Sequence, residues 1–254
     1  MSNTSIAVKG IYCIAIYICF IFLGTFVEIE SLPWISSASR WASLPLLILF
    51  FYLNTAIDTK FEKQIFFGLI LFTICSLLEM AEPVIGSYLV YILIALMIIA
   101  YFSYARALIA ITSITSTLFF QKKWLAGVVF FLGLVGVYFI FVEPYFALPN
   151  SFLVPLLCFG LTSLFLLMAG INLINQIEGG ILIGFWVSII FLLVYNCYLG
   201  LKISPNISIF ETPLAIAYYL GQLVFVWTAV RASLHFKKHD HSNISNALKN
   251  KVVS

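Results

Sequence analysis

Apolar residues run along this chain in blocks close to twenty long, parted by short polar stretches. Eight blocks can be marked: Gly10–Val27, Trp41–Ile57, Ile65–Ile85, Tyr88–Ala105, Trp124–Val142, Phe152–Leu173, Gly179–Leu201 and Pro213–Val230. A helix rises about 1.5 Å per residue, so about 20 residues cross a hydrocarbon layer of about 30 Å. Inside lipid every backbone N–H and C=O must be bonded within the segment, which a helix achieves and an open strand does not. The pattern therefore predicts an all-α polytopic transmembrane bundle of about eight spans. It forms one domain over residues 1–231, followed by a polar cytoplasmic tail over 232–254.

Composition strengthens this expectation. Hydrophobic residues make up 63% of the chain and charged residues 9%, against about 45–50% and about 25% in soluble domains. The placement of charge then orients the bundle. Lys9, Lys60, Lys63, Arg106, Lys122, Lys123, Arg231, Lys237, Lys238, Lys249 and Lys251 all fall on the side of the N-terminus if eight spans are threaded in order. Arg40 and Lys202 alone fall on the other. That asymmetry predicts both termini in the cytoplasm and an integral, multi-pass protein of the bacterial inner membrane.

Generic chemistry is sparse. The five cysteines lie inside apolar runs without CxxC spacing, so they read as small core residues, not as a disulfide or metal framework. No span carries His or Lys, which argues against an intramembrane metal centre, a haem ligand pair or a Schiff base. The three histidines belong to the polar tail, at spacings that fit no helical ligand pattern. No cofactor, no metal and no nucleic-acid partner is expected. Polar residues within spans are few: Asn54, Glu79, Asn172, Asn175, Ser188, Asn196 and Gln222, with tyrosines. Gln222, in the run Tyr218-Tyr219-Leu220-Gly221-Gln222, has to turn inward, because its amide finds no partner in lipid. Gly180, Ser188, Asn196 and Gln222 are expected to face one another or a common cavity.

The order of several short motifs resembles the YhhN-type membrane family, whose characterised members are lysoplasmalogenases. Arg40-Trp41-Ala42-Ser43-Leu44-Pro45-Leu46 is similar to the family's "TKPL" start of its second span. Cys75-Ser76-Leu77-Leu78-Glu79 is similar to "SLLGD", Gly180 to Ser188 to "GA…F…SD", and Ala217 to Gln222 to "TYYLAQ". The departures are specific. Leu44 replaces the family's Lys, Glu79 or Met80 its first Asp, and Ile189 its second; the fourth span has no His.

The resemblance implies hydrolysis of the vinyl-ether bond of lysoplasmalogen or a related lysolipid. Protonating the alkene carbon gives an oxocarbenium ion that water then captures, and a carboxylic acid with a burial-raised pKa can supply the proton. Glu79 is the expected catalytic acid, with Tyr218, Tyr219, Gln222, Ser188 and Asn196 lining the substrate. A catalytically silent member of the fold, binding a lipid or a protein partner, is the alternative. The membrane lipid or lysolipid is the expected partner in the first case.

Topology is directly testable. Reporter fusions after Lys123 and after Lys251 should both read cytoplasmic; a far-side reading at either would break the eight-span thread.

Overall fold

The computed structural model describes residues 3–26, 33–79, 88–111, 153–174, 177–202 and 211–252. Among them every regular element is an α-helix: α1 (Asn3–Phe26), α2 (Pro33–Asn54), α3 (Lys60–Glu79), α4 (Tyr88–Ile111), α5 (Leu153–Asn172), α6 (Gly179–Lys202) and α7 (Glu211–Val252). Seven of the eight expected spans correspond to these helices. The remaining one, Trp124–Val142, lies outside the described residues. Lys60–Leu78, Tyr91–Ile111, Gly179–Asn196 and Ala215–Lys237 are long and apolar enough to cross a membrane. Gly10–Leu23, Trp41–Asn54 and Gly160–Asn172 are shorter apolar helical stretches.

Successive helices pack side by side from α1 to α7, and α7 returns to touch α1, α2 and α3. The core gathers where these faces meet, around Tyr17, Phe51, Phe72, Tyr101, Phe185 and Phe225, each fully buried. Large apolar side chains also point outward, among them Tyr12, Phe22, Tyr52, Ile183 and Ile190. An outward apolar face on so many helices suits contact with lipid and would be a liability in water.

Side-chain contacts fix helix direction. Gly184 of α6 lies against Thr228 of α7, Gly221 of α7 against Leu192, and Tyr195 against Tyr218, so α6 and α7 run antiparallel. Phe102 of α4 stacks on Phe165 of α5 at 5.2 Å, while Asn196 touches both Tyr101 of α4 and Ser163 of α5. Tyr101 lies near Tyr218 and Tyr104 bonds Gln222, so α4 runs parallel to α7, while Ser163 meets Asn196 and Gly170 meets Ile189, so α5 runs antiparallel to α6. Helices α4 and α5 are parallel neighbours.

One end of the bundle is tied by a carboxylate. Thr59 and Glu62 form a capping box at the start of α3: the Glu62 N–H donates to Thr59 Oγ1 at 3.1 Å, and Thr59 N–H donates to Glu62 Oε2 at 3.0 Å. Asp58 N–H donates to the same oxygen at 2.9 Å. Ile57 takes a φ of 53°, a left-handed conformation that a β-branched residue adopts at a cost. It turns the chain so that two successive N–H groups aim at Glu62. The second oxygen, Oε1, accepts from Ser233 Oγ and pairs with Lys237 Nζ at 2.8 Å, both on α7. His235 stands 3.6 Å from Glu178 at the same end.

Helix α7 does not stop where the sequence starts the tail. Ala232 and Ser233 are buried, and the helix continues to Val252. Replacing Glu62 strips four bonds from a fully buried carboxylate and leaves its donors unmet. Glu62→Ala should lower stability by about 3 kcal/mol, read as a lower melting temperature in detergent. Lys237→Gln should cost less, since that ammonium is partly solvated.

Candidate functional site

Halfway along the bundle the inward faces of α3 to α7 bring together aromatic rings and two amides. Helix α4 supplies Tyr101 and Tyr104, α6 supplies Tyr195 and Asn196, and α5 supplies Ser163. Helix α7 supplies Tyr218, Tyr219 and Gln222; residues four apart share a helix side, which places Tyr218 and Gln222 on one stripe. Tyr101 is ten residues from Ile111, the last residue of α4, or about 15 Å along the axis. The cluster therefore lies deep between the two ends of that span.

Gln222 is fully buried. The Tyr104 hydroxyl donates to its Oε1 at 2.8 Å, while Nε2 has no partner. The Tyr104 ring is itself clamped. It stacks on Phe225 at 4.1 Å and lies 5.3 Å from Phe72. On its other side Gly68 lets α3 approach closely: a Cβ there would stand 2.6 Å from Tyr104 Cε1 and 2.7 Å from Cδ1. Tyr17 of α1 is also fully buried, and its hydroxyl donates to the Tyr219 carbonyl at 2.8 Å.

Asn196 mirrors Gln222 one helix away. Its Nδ2 donates to Ser163 Oγ at 3.0 Å, its side chain adjoins Tyr101, and its Oδ1 accepts nothing. Tyr218 packs beside them, 4.5 Å from Tyr195, 5.3 Å from Tyr219 and 6.1 Å from Phe72. Phe72 in turn meets Tyr101 edge-on at 4.9 Å. Each unmet amide atom costs about 1–3 kcal/mol in an apolar interior. Such groups persist where water or a ligand's polar atom completes them.

Four of the expected lining residues, Tyr218, Tyr219, Asn196 and Gln222, thus fall in one neighbourhood. Ser188 is buried as well, but its hydroxyl donates to Phe185 of its own helix at 2.7 Å. Gly180 departs from the expectation: it is exposed at the start of α6 with no atom within 4 Å of a Cβ there. A helix-terminal glycine clear of its neighbours faces no cavity. Glu79 is the last residue of α3, and its side chain lies outside the described residues. Ile189, where the family resemblance would place an Asp, is fully buried and packs close to Gly170.

Two positions that hold the bundle together escaped sequence reading. Tyr104 was one of thirteen tyrosines, and nothing local separated it from the rest. Glu62 carried a signal, the Thr-x-x-Glu pattern ahead of an apolar run.

The close approach at Gly68 generates a specific expectation. Gly68→Ala drives a methyl group into the Tyr104 ring, which cannot retreat because Phe225 and Gln222 hold it. Stability should fall by about 1–3 kcal/mol, seen as a lower melting temperature, and Tyr104→Phe placed on top should restore little of it.

Comparison with family models, with curated proteins and with solved structures returned no match.

Proposed function

We propose that this chain is a multi-pass protein of the bacterial inner membrane that binds a single-chain lipid at the aromatic–amide cluster. The observation that carries the reading is the pair of buried amides, Gln222 and Asn196, each ending in an unmet atom inside an apolar bundle. A lipid that slides between helices can complete such atoms while its chain meets apolar side chains. Eight spans with both termini cytoplasmic is the topology proposed with it. Parallel neighbours such as α4 and α5 can be joined only by a connection that returns to the starting end. The run Trp124–Val142 is the part of that connection the sequence reads as a span.

The resemblance to the YhhN-type family supplies the reaction: hydrolysis of the vinyl ether of lysoplasmalogen or a related lysolipid, with Glu79 as acid. The Glu79 proton adds to the alkene carbon that bears the alkyl chain, and the positive charge settles on the ether-bearing carbon as an oxocarbenium ion. Water adds there and loses a proton back to the carboxylate. The resulting hemiacetal collapses to a fatty aldehyde and the glycerol alcohol. In support, Glu79 ends α3 one turn after Cys75, and Cys75 adjoins Tyr101 and Tyr218.

A second reading, a silent lipid-binding member of the same fold, is favoured by Ile189. An apolar side chain buried there offers no second carboxylate to steady the cation.

Purified protein incubated with lysoplasmalogen separates the two. A hydrolase releases aldehyde, Glu79→Gln lowers the rate by about 10²-fold or more, and Ile189→Asp raises it. Bound lipid without aldehyde establishes the silent reading. Equal release by wild type and Glu79→Gln would place the acid elsewhere.

A further inference from the structure

The two unmet atoms are complementary. Gln222 Nε2 is a donor and Asn196 Oδ1 an acceptor, and both amides are anchored at their other ends, by Tyr104 and Ser163. Their separation follows from the α6–α7 register. Gly221 meets Leu192, and Tyr218 meets Tyr195, so Asn196 stands level with position 217 of α7, about 7.5 Å along the axis from Gln222. Resting on the lipid-binding reading above, we propose that the pair recognises the uncharged glycerol segment of the lipid. In that segment a free hydroxyl donates to Asn196 while the adjacent ether or ester oxygen accepts from Gln222. The headgroup, whatever its charge, is not what the cluster reads.

Three observations argue for a neutral ligand segment. First, vicinal oxygens with a hydrogen bond of about 2.9 Å at each end bridge a gap of this size. Rotating either amide by a half-turn exchanges donor and acceptor, and a hydroxyl, being both, still answers it.

Second, among the described residues the buried charged side chain is Glu62, and its oxygens are taken by Ser233, Lys237 and the Asp58 and Thr59 N–H groups away from the cluster. A phosphate placed among the tyrosines would meet no described cation, and burying an uncompensated charge is prohibitive.

Third, a choline or ammonium group would need open ring faces. The tyrosine and phenylalanine rings here cover one another at 4.1–6.1 Å, so they offer no open face to a quaternary ammonium.

The test uses full-length protein in nanodiscs and radiolabelled 1-O-hexadecylglycerol, an ether lipid without a headgroup. Wild type should bind it, and lysophosphatidylcholine of equal chain length should compete within about tenfold. 3-Hexadecyloxypropan-1-ol, which lacks the vicinal hydroxyl, should bind at least about tenfold more weakly, because it leaves a buried amide unmet. Asn196→Leu should lose about tenfold in affinity. So should the pair Tyr104→Phe with Gln222→Leu, which removes both members of one hydrogen bond and so keeps the bundle folded. Unchanged binding by these variants overturns the proposal. If lysophosphatidylcholine binds and hexadecylglycerol does not, the headgroup is recognised: this inference falls while lipid binding stands. If neither binds, both fall. Hexadecylglycerol bound without aldehyde release from lysoplasmalogen removes only the hydrolase.

Discussion

The hydrogen bond from Tyr104 to Gln222 holds the middle of the bundle. It joins α4 to α7 across 118 residues of chain, in surroundings where neither group has water as a fallback. Its consequences spread outward. Holding the hydroxyl there fixes the ring, the ring needs the bare backbone of Gly68 on one side, and Phe225 covers the other. Helix α3 can come close to α4 only because position 68 lacks a Cβ. Ring packing around this contact thus sets the spacing of three helices.

The far end of α7 is held by different physics. There the tie is ionic, and the carboxylate of Glu62 is saturated by two backbone donors, a hydroxyl and an ammonium. Nothing is left over for a ligand, so this site fastens the α2–α3 turn to α7. The contrast with the amide cluster is instructive. Glu62 has every lone pair engaged, whereas Gln222 and Asn196 each keep one atom open. A buried group that is complete holds a fold together. One that is incomplete stays receptive, and the difference marks the second as the place to look for a ligand.

Close helix contacts without bulky side chains recur elsewhere. A Cβ at Gly184 would lie 3.0 and 3.2 Å from Thr228 carbons, and one at Gly170 would lie 2.7 Å from Ile189 Cδ1. Helices in lipid gain nothing by hiding apolar surface from one another, so their association depends on fit at such crossings. Ile189 therefore has a packing role. Its full burial against α5 explains why an apolar residue is at home at that position.

Block length alone made the helices legible. Apolar runs of near twenty residues leave an intramembrane backbone no alternative to the helix, so α1 to α7 follow from the sequence, with most ends misjudged by up to eight residues and the end of α7 by 22. The inward turn of Asn196 and Gln222 was legible for the same reason, since an amide has no partner in lipid. What each amide bonds was not. Tyr104, Ser163 and Ser233 lie 118, 33 and 171 residues from their partners, and no local pattern encodes such pairings. Nor could periodicity reveal that Gly180 stands clear while Gly68 and Gly184 are pressed against neighbours, because a glycine's meaning lies in what the opposing helix puts there. Sequence determined which segments are apolar helices and which side chains must turn inward. Tertiary packing alone decided which of them meet, because helices in a bilayer find their register through shape and a few scattered hydrogen bonds.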